Sequence, residues 1–182
     1  GGGNIGIGYL ALQHNDTGHN NIAIGYQALA DQDVGGAGNA ADSDGNIAIG
    51  TNCMGGVWAD AKSENNVAIG TSAMDAAMNG ALSNTAIGYA ALSAITEGDS
   101  NVAIGKDSAA AITTGDSNVS IGATSNVVAT GSNQIAIGYG VATTQANETT
   151  IGSGGIYKFV SKEVTCDLGG DSADDPAHLT AI

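Results

Sequence analysis

The chain has 182 residues, with 18 Asp and Glu against four Lys and Arg, and its formal charge of −14 is the reverse of the basic footprint that neutralises nucleic-acid phosphates. Aromatic residues make up 4% while Gly numbers 29, so large rings cannot fill an irregular interior and a core must come from small and aliphatic side chains stacked regularly. No apolar run approaches the roughly 18 residues that would span a bilayer, and no basic-then-apolar signal segment opens the chain, so any anchor or targeting segment is expected outside these residues.

One phrase recurs along the chain: "NNIAIGYQAL" at 20–29, "GNIAIGTNCM" at 45–54, "NNVAIGTSAM" at 65–74 and "SNTAIGYAAL" at 83–92. Alignment on the Ile-Gly pair puts the glycines at Gly8, Gly25, Gly50, Gly70, Gly88, Gly105, Gly122, Gly138 and Gly152, with successive steps of 17, 25, 20, 18, 17, 17, 16 and 14. A unit near 17 residues, lengthened in its second and third intervals, is therefore the organising period, and self-similarity at a fixed period marks a repeat architecture.

Within each unit the columns follow strand and turn chemistry. Four residues before the Gly stand Asn4, Asn21, Asn46, Asn66, Asn84, Asn101 and Asn118, with Gln134 and Glu148 in the last two copies. The residue before each is Gly, Asn or Ser, types that tolerate left-handed backbone, so a corner is expected there. Stacked coil on coil, the Asn column would form an amide ladder. A short strand follows. Its first position is Ile, Val or Thr; its third is Ile in all nine copies, including Ile24, Ile49, Ile69, Ile87 and Ile104. Residues two apart share a strand face, so these branched columns are expected to build the core. The middle column (Gly6, Ala23, Ala48, Ala68, Ala86, Ala103, Ser120, Ala136, Thr150) is small throughout, which suggests a second face packed closely against a neighbouring chain.

Beyond the glycine a second apolar pair recurs, as in Ala28-Leu29, Cys53-Met54, Ala73-Met74 and Ala91-Leu92, and it places Cys53 in an alanine column as a buried structural thiol. Alternation broken by Gly and Asn fits strands better than the i, i+3, i+4 spacing of an amphipathic helix. The expectation is an all-β parallel β-solenoid of about nine coils, each with two short strands, over 1–155, with 156–182 as a C-terminal cap or linker. Thin coils with a small second face point to a homo-oligomer.

The phrase [SN]-N-x-A-I-G-x-x-A resembles the head repeat of YadA-like trimeric autotransporter adhesins and, with its unit near 17, looks still more like tandem repeats of bacteriophage tail fibres. The match runs from about Asn4 to Gly152. The resemblance implies a left-handed parallel β-roll assembled as a trimer, and a structural or adhesive role outside the cell, on a virion or a cell surface. The adhesin repeat is nearer 14 residues, and nothing in 153–182 matches the adhesins' coiled-coil stalk or anchor. A phage tail-fibre segment for host-surface attachment is the leading reading; a bacterial adhesin head and a self-assembling extracellular filament subunit are the alternatives.

Specificity is expected where the repeat is interrupted or variable. The insertions "ADQDVGGAGNAADSD" (30–44) and "GGVWADAKSE" (55–64) would bulge as loops, and loops on a rigid scaffold carry binding residues. Trp58, if exposed, would stack on a sugar ring, although a buried gap-filling role is the commoner fate of Trp. Tyr9, Tyr26, Tyr89 and Tyr139 share the position after the Gly, a variable and hence surface column in which Tyr26 and Tyr89 are candidate receptor contacts for a glycan or protein. Acidic turns at 42–45, 97–100 and 114–117 invite calcium but read better as solvated turns, lacking the fixed period of calcium-binding rolls. His14, His19 and His178 are too scattered for a metal site or triad, and no constellation of acid, base and nucleophile is present, so neither cofactor nor catalysis is expected.

Overall fold

A computed structural model of the chain describes residues 1–15, 17–30, 43–58 and 61–152. Nine three-residue strands form one parallel sheet in sequence order: β1 (Ile5–Ile7), β2 (Ile22–Ile24), β3 (Ile47–Ile49), β4 (Val67–Ile69), β5 (Thr85–Ile87), β6 (Val102–Ile104), β7 (Val119–Ile121), β8 (Ile135–Ile137) and β9 (Thr149–Ile151). Every pairing is in register, Ile on Ile and small residue on small residue, as Ala68↔Ala86 and Ile69↔Ile87 show. The chain is a parallel β-solenoid of about eight turns, with no helix among the described residues. The expected segment over 156–182, with Cys166 and His178, lies outside those residues.

The corners form as their residue types dictate. The position before each Asn takes the left-handed conformation, with φ of 56° at Asn20, 57° at Asn65 and Ser83, and 58° at Ser100. At the other end of each strand the Ile-Gly glycine opens the turn. At Gly50 φ is +141°, and an added Cβ would lie 2.5 Å from the Gly70 carbonyl oxygen of the next coil, so both the angle and the close stacking exclude a side chain.

The expected second strand is absent among the described residues. The apolar pair after the glycine instead lies in a turn whose second and fourth residues are left-handed, for example Gln27 (φ 52°) and Leu29 (φ 49°), or Ala90 (51°) and Leu92 (50°). Such angles cost a bulky residue about 1–2 kcal/mol, an amount that full burial of a Leu or Met side chain offsets. The turns still bond coil to coil, as in Leu29 N–H to the Cys53 carbonyl (2.9 Å) and Met54 N–H to the Ala73 carbonyl (2.9 Å).

The inward and outward faces of the sheet are the reverse of the expectation. Ala23, Ala48, Ala68, Ala86, Ala103 and Ala136 are completely buried within the single chain, whereas the flanking Ile and Val columns are half-buried or exposed. The interior is thin, and its opposite wall carries Leu29, Met54, Met74, Met78, Leu92, Ile95 and Ile112, all fully buried. Those long side chains occupy the lumen and leave room only for a methyl group on the strand side, since interiors interdigitate large with small. In the seventh coil Ser120 replaces the alanine, and its Oγ meets Ser125 Oγ at 2.7 Å and Ser108 Oγ at 3.0 Å, satisfying three buried hydroxyls mutually.

Candidate functional site

The Asn column forms the expected ladder and is buried throughout its middle coils. Asn84 shows the unit: its backbone N–H and Nδ2 both donate to Asn66 Oδ1 (2.9 and 3.1 Å), its Nδ2 also donates to the Gly98 carbonyl (2.7 Å), and its own Oδ1 accepts from Asn101 N–H and Nδ2 (2.8 and 3.0 Å). The same set recurs at Asn46, Asn66, Asn101 and Asn118. The ladder passes to Gln134, whose N–H and Nε2 donate to Asn118 Oδ1, and there it changes. Gln134 Oε1 accepts from Val128 N–H and the Thr143 hydroxyl, and the Glu148 carboxylate turns to Thr144 and Gln145 N–H and the Thr144 and Thr150 hydroxyls. The Thr144 N–H, helped by the Thr150 hydroxyl, holds the Glu148 carboxyl below its ordinary range. Asn21, Asn46, Asn66, Asn84 and Asn101, with Gly25, Gly50, Gly70, Gly88 and Gly105, are thus scaffold.

Acidic turn residues join a second, outer ladder. Asp99 Oδ1 accepts from Leu82 N–H (2.7 Å), Asp116 Oδ1 from Asp99 N–H (2.8 Å), and Ser132 Oγ from Asp116 N–H (3.0 Å). His19 pairs with Asp44 at 3.4 Å. Among the described residues no group of three or more His, Cys, Asp or Glu gathers in a way that would hold a metal ion, and no helix is long and apolar enough to cross a membrane.

Cys53 lies fully buried in the alanine wall of the turn, its thiol donating to the Ala68 carbonyl at 3.2 Å, and burial pushes it up to about 12. Trp58 is 3% exposed and packs in the hydrophobic core, the buried gap-filling role given above as the commoner one, so its ring is not open to stack on a sugar. Most of the 30–44 insertion, residues 31–42, lies outside the described residues.

Two exposed features remain. The first is the outer face of the sheet, where Ile69, Ile87 and Ile104 are 37%, 37% and 38% exposed and Ile24 and Ile49 half-buried. Its two columns hold only Ile, Val and two Thr, with no charge, over about 38 Å at the spacing of hydrogen-bonded strands. The alternation revealed two faces, but it did not say which faced outward.

The second is the corner column after the glycines: Tyr9, Tyr26, Thr51, Thr71, Tyr89 and Lys106. Each backbone carbonyl there accepts from the next coil, Tyr26 from Asn52 N–H (2.9 Å), Thr51 from Ser72 N–H (3.0 Å) and Thr71 from Ala90 N–H (3.0 Å), so the column is a continuous ridge. Tyr26 and Tyr89 are 48% and 53% exposed. The Tyr9 and Tyr26 rings stack with centroids 5.6 Å apart and planes 18° from parallel, and Lys106 Nζ lies over the Tyr89 ring, 6.0 Å from its centroid.

No protein-family model matches the chain, and no curated protein and no solved structure was found similar to it.

Proposed function

We propose that the chain is a rod segment of an extracellular attachment fibre, a left-handed β-roll of about nine coils that assembles side by side as a homotrimer through its Ile and Val face. The observation that carries this reading is that face: two uncharged columns of β-branched residues, all Ile or Val but for two Thr, running from β1 to β9 and partly or fully open to solvent in the single chain. A contiguous apolar surface larger than a few hundred Å² marks an interaction site, and a face that repeats coil after coil is complementary to copies of itself. The strands carry no charged residue, so the charge of −14 lies elsewhere in the sequence and keeps such rods apart except along the uncharged stripe. The resemblance to tail-fibre and adhesin-head repeats supports both the threefold arrangement and a role in host-surface attachment, with a phage tail fibre as the leading context and an adhesin head as the alternative. Nothing in the described residues resembles a catalytic constellation, and the reading requires no cofactor.

Sedimentation equilibrium of the full chain tests it. The expected mass is about 53 kDa, three times 17.7 kDa. Ile87→Lys together with Ile104→Lys should yield folded monomers with an unchanged far-ultraviolet spectrum. A wild-type chain that remains at 17.7 kDa at all concentrations overturns the assembly, and open-ended polymers would favour the filament alternative.

A further inference from the structure

The side chains that oxidise most readily are withdrawn from the surface of this chain. All three methionines, Met54, Met74 and Met78, are completely buried, as is Cys53, and Trp58 is 3% exposed. Among the described residues a surface oxidant therefore meets tyrosine first: Tyr9, Tyr26, Tyr89 and Tyr139 are 67%, 48%, 53% and 77% exposed. These four are not equivalent. Tyr89 stands between Thr71 and Lys106 on the corner ridge and Tyr139 follows Ala123, whereas Tyr9 and Tyr26 occupy successive coils. The Gln27 N–H donates to the Tyr9 carbonyl at 2.9 Å, which holds the two coils one hydrogen-bonded step, about 4.8 Å, apart at this corner. The two rings lie 5.6 Å apart between centroids with planes 18° from parallel, within the range of an offset stack. Because both side chains are exposed, rotation about their own bonds brings ring edge to ring edge while the backbone stays in place.

We propose that Tyr9 and Tyr26 are an oxidative cross-linking site, joined as a dityrosine when the chain meets a one-electron oxidant of the peroxide-charged haem peroxidase class. Each phenol gives up one electron and its hydroxyl proton, leaving a phenoxyl radical whose unpaired electron is shared with the Cε carbons beside the oxygen. The two odd electrons pair in a new Cε–Cε bond, and the hydrogen on each of those carbons passes to the phenolic oxygen, which restores both rings. One hydrogen peroxide takes up the two electrons and two protons and becomes two waters. Holding both rings in one place replaces a meeting of two molecules by a step within one, so this pair couples ahead of any between chains. The bond closes a covalent loop from residue 9 to residue 26, one full coil. Among the described residues β1 pairs with β2 alone, so the loop fastens a strand that hydrogen bonds hold along one edge. The inference needs only the stacked pair and stands apart from the attachment reading.

Hydrogen peroxide with a haem peroxidase, applied to the dilute full chain, tests the site. Dityrosine fluorescence should appear while the chain keeps its single-chain mobility on a denaturing gel. Peptide mapping after cleavage at Asp16 should find the Tyr9 and Tyr26 peptides joined, two hydrogens lighter than their sum. Tyr9→Phe and Tyr26→Phe keep a ring in the stack but have no phenol to oxidise, and each should lower the fluorescence at least about tenfold. Tyr89→Phe and Tyr139→Phe should cross-link as wild type. Oxidation in urea, where the coils are undone, should lose the preference for this pair, and hydrogen exchange in β1 should be slower after cross-linking than before. The proposal is overturned if no joined Tyr9 and Tyr26 peptide forms, if it forms as fast in urea, if Tyr26→Phe leaves the fluorescence unchanged, or if the product is mainly chains joined to one another.

Discussion

Replacing Asn84 with Ala removes one rung from the middle of the buried amide ladder. The Asn101 N–H loses the acceptor it holds at 2.8 Å, and the Gly98 carbonyl loses the donor it holds at 2.7 Å; both residues are fully or largely shielded from water. Each orphaned buried polar group costs about 1–3 kcal/mol, so the two together cost about 2–6 kcal/mol. That is a large part of the 5–15 kcal/mol typical of a folded domain, and at about 2–4 °C per kcal/mol it corresponds to a fall of roughly 10 °C in the melting midpoint. Thermal unfolding followed by far-ultraviolet circular dichroism measures the fall, with Thr71→Ala as a surface control expected within about 0.5 kcal/mol of wild type. In a solenoid each coil touches only its neighbours, so hydrogen exchange should rise most in β5 and β6 and least in β2. A midpoint for Asn84→Ala indistinguishable from that of the control would refute the account of the ladder as the main polar support of the lumen.

Ala103→Leu forces three extra carbons into a lumen already filled by the opposite wall, and it should destabilise the chain by about 1–3 kcal/mol at every protein concentration; an effect that vanishes on dilution would restore the alanine face to the exterior. Cys53 should resist a thiol reagent in the native protein at pH 8 and react only at the rate of unfolding. Its folded pKa, up near 12, lies above the ordinary value of 9.0, so the stability tied to the neutral thiol is intact below about pH 9 and is lost as pH rises toward 12; Cys53→Ala should remove that alkaline decline in denaturant titrations, and an unchanged decline would assign it to other groups.

Much of the architecture was legible because each column carries a distinct chemical demand. Asn, Ser and Gly before the ladder residue announced left-handed corners, and Asn20, Asn65, Ser83 and Ser100 adopt them. The Asn column announced its own amide ladder. What could not be read was direction: Ala and Ile alternate equally well whichever of them faces inward, and the choice is made by Leu29, Met54, Met74 and Leu92 across the lumen, which exclude a second layer of long side chains. The same four residues concealed the second error, since Leu and Met at positive φ are rare and their apolar pairing with Ala, Cys or Ala mimics a strand. On the surface, Tyr26 and Tyr89 were marked by a shared column, but the stacking of Tyr26 on Tyr9 and the placement of Lys106 over Tyr89 were visible only in the structure. Trp58 lay in an insertion, where the period that located every other residue gives no guidance.

The hydrogen bonds between coils run along the length of the rod, so a pull on its two ends loads the junctions in series and every one of them bears the whole force. Strength is then set by the least connected junction, however many sound ones lie above it. Between β8 and β9 the amide ladder no longer crosses: Gln134 and Glu148 spend their side chains on groups of their own neighbourhood, and among the described residues the two coils are linked by backbone bonds and the Asn133–Asn147 contact at 3.2 Å. Under tension this junction is the fuse of the rod, parting first while the seven Asn-linked steps above it stay closed.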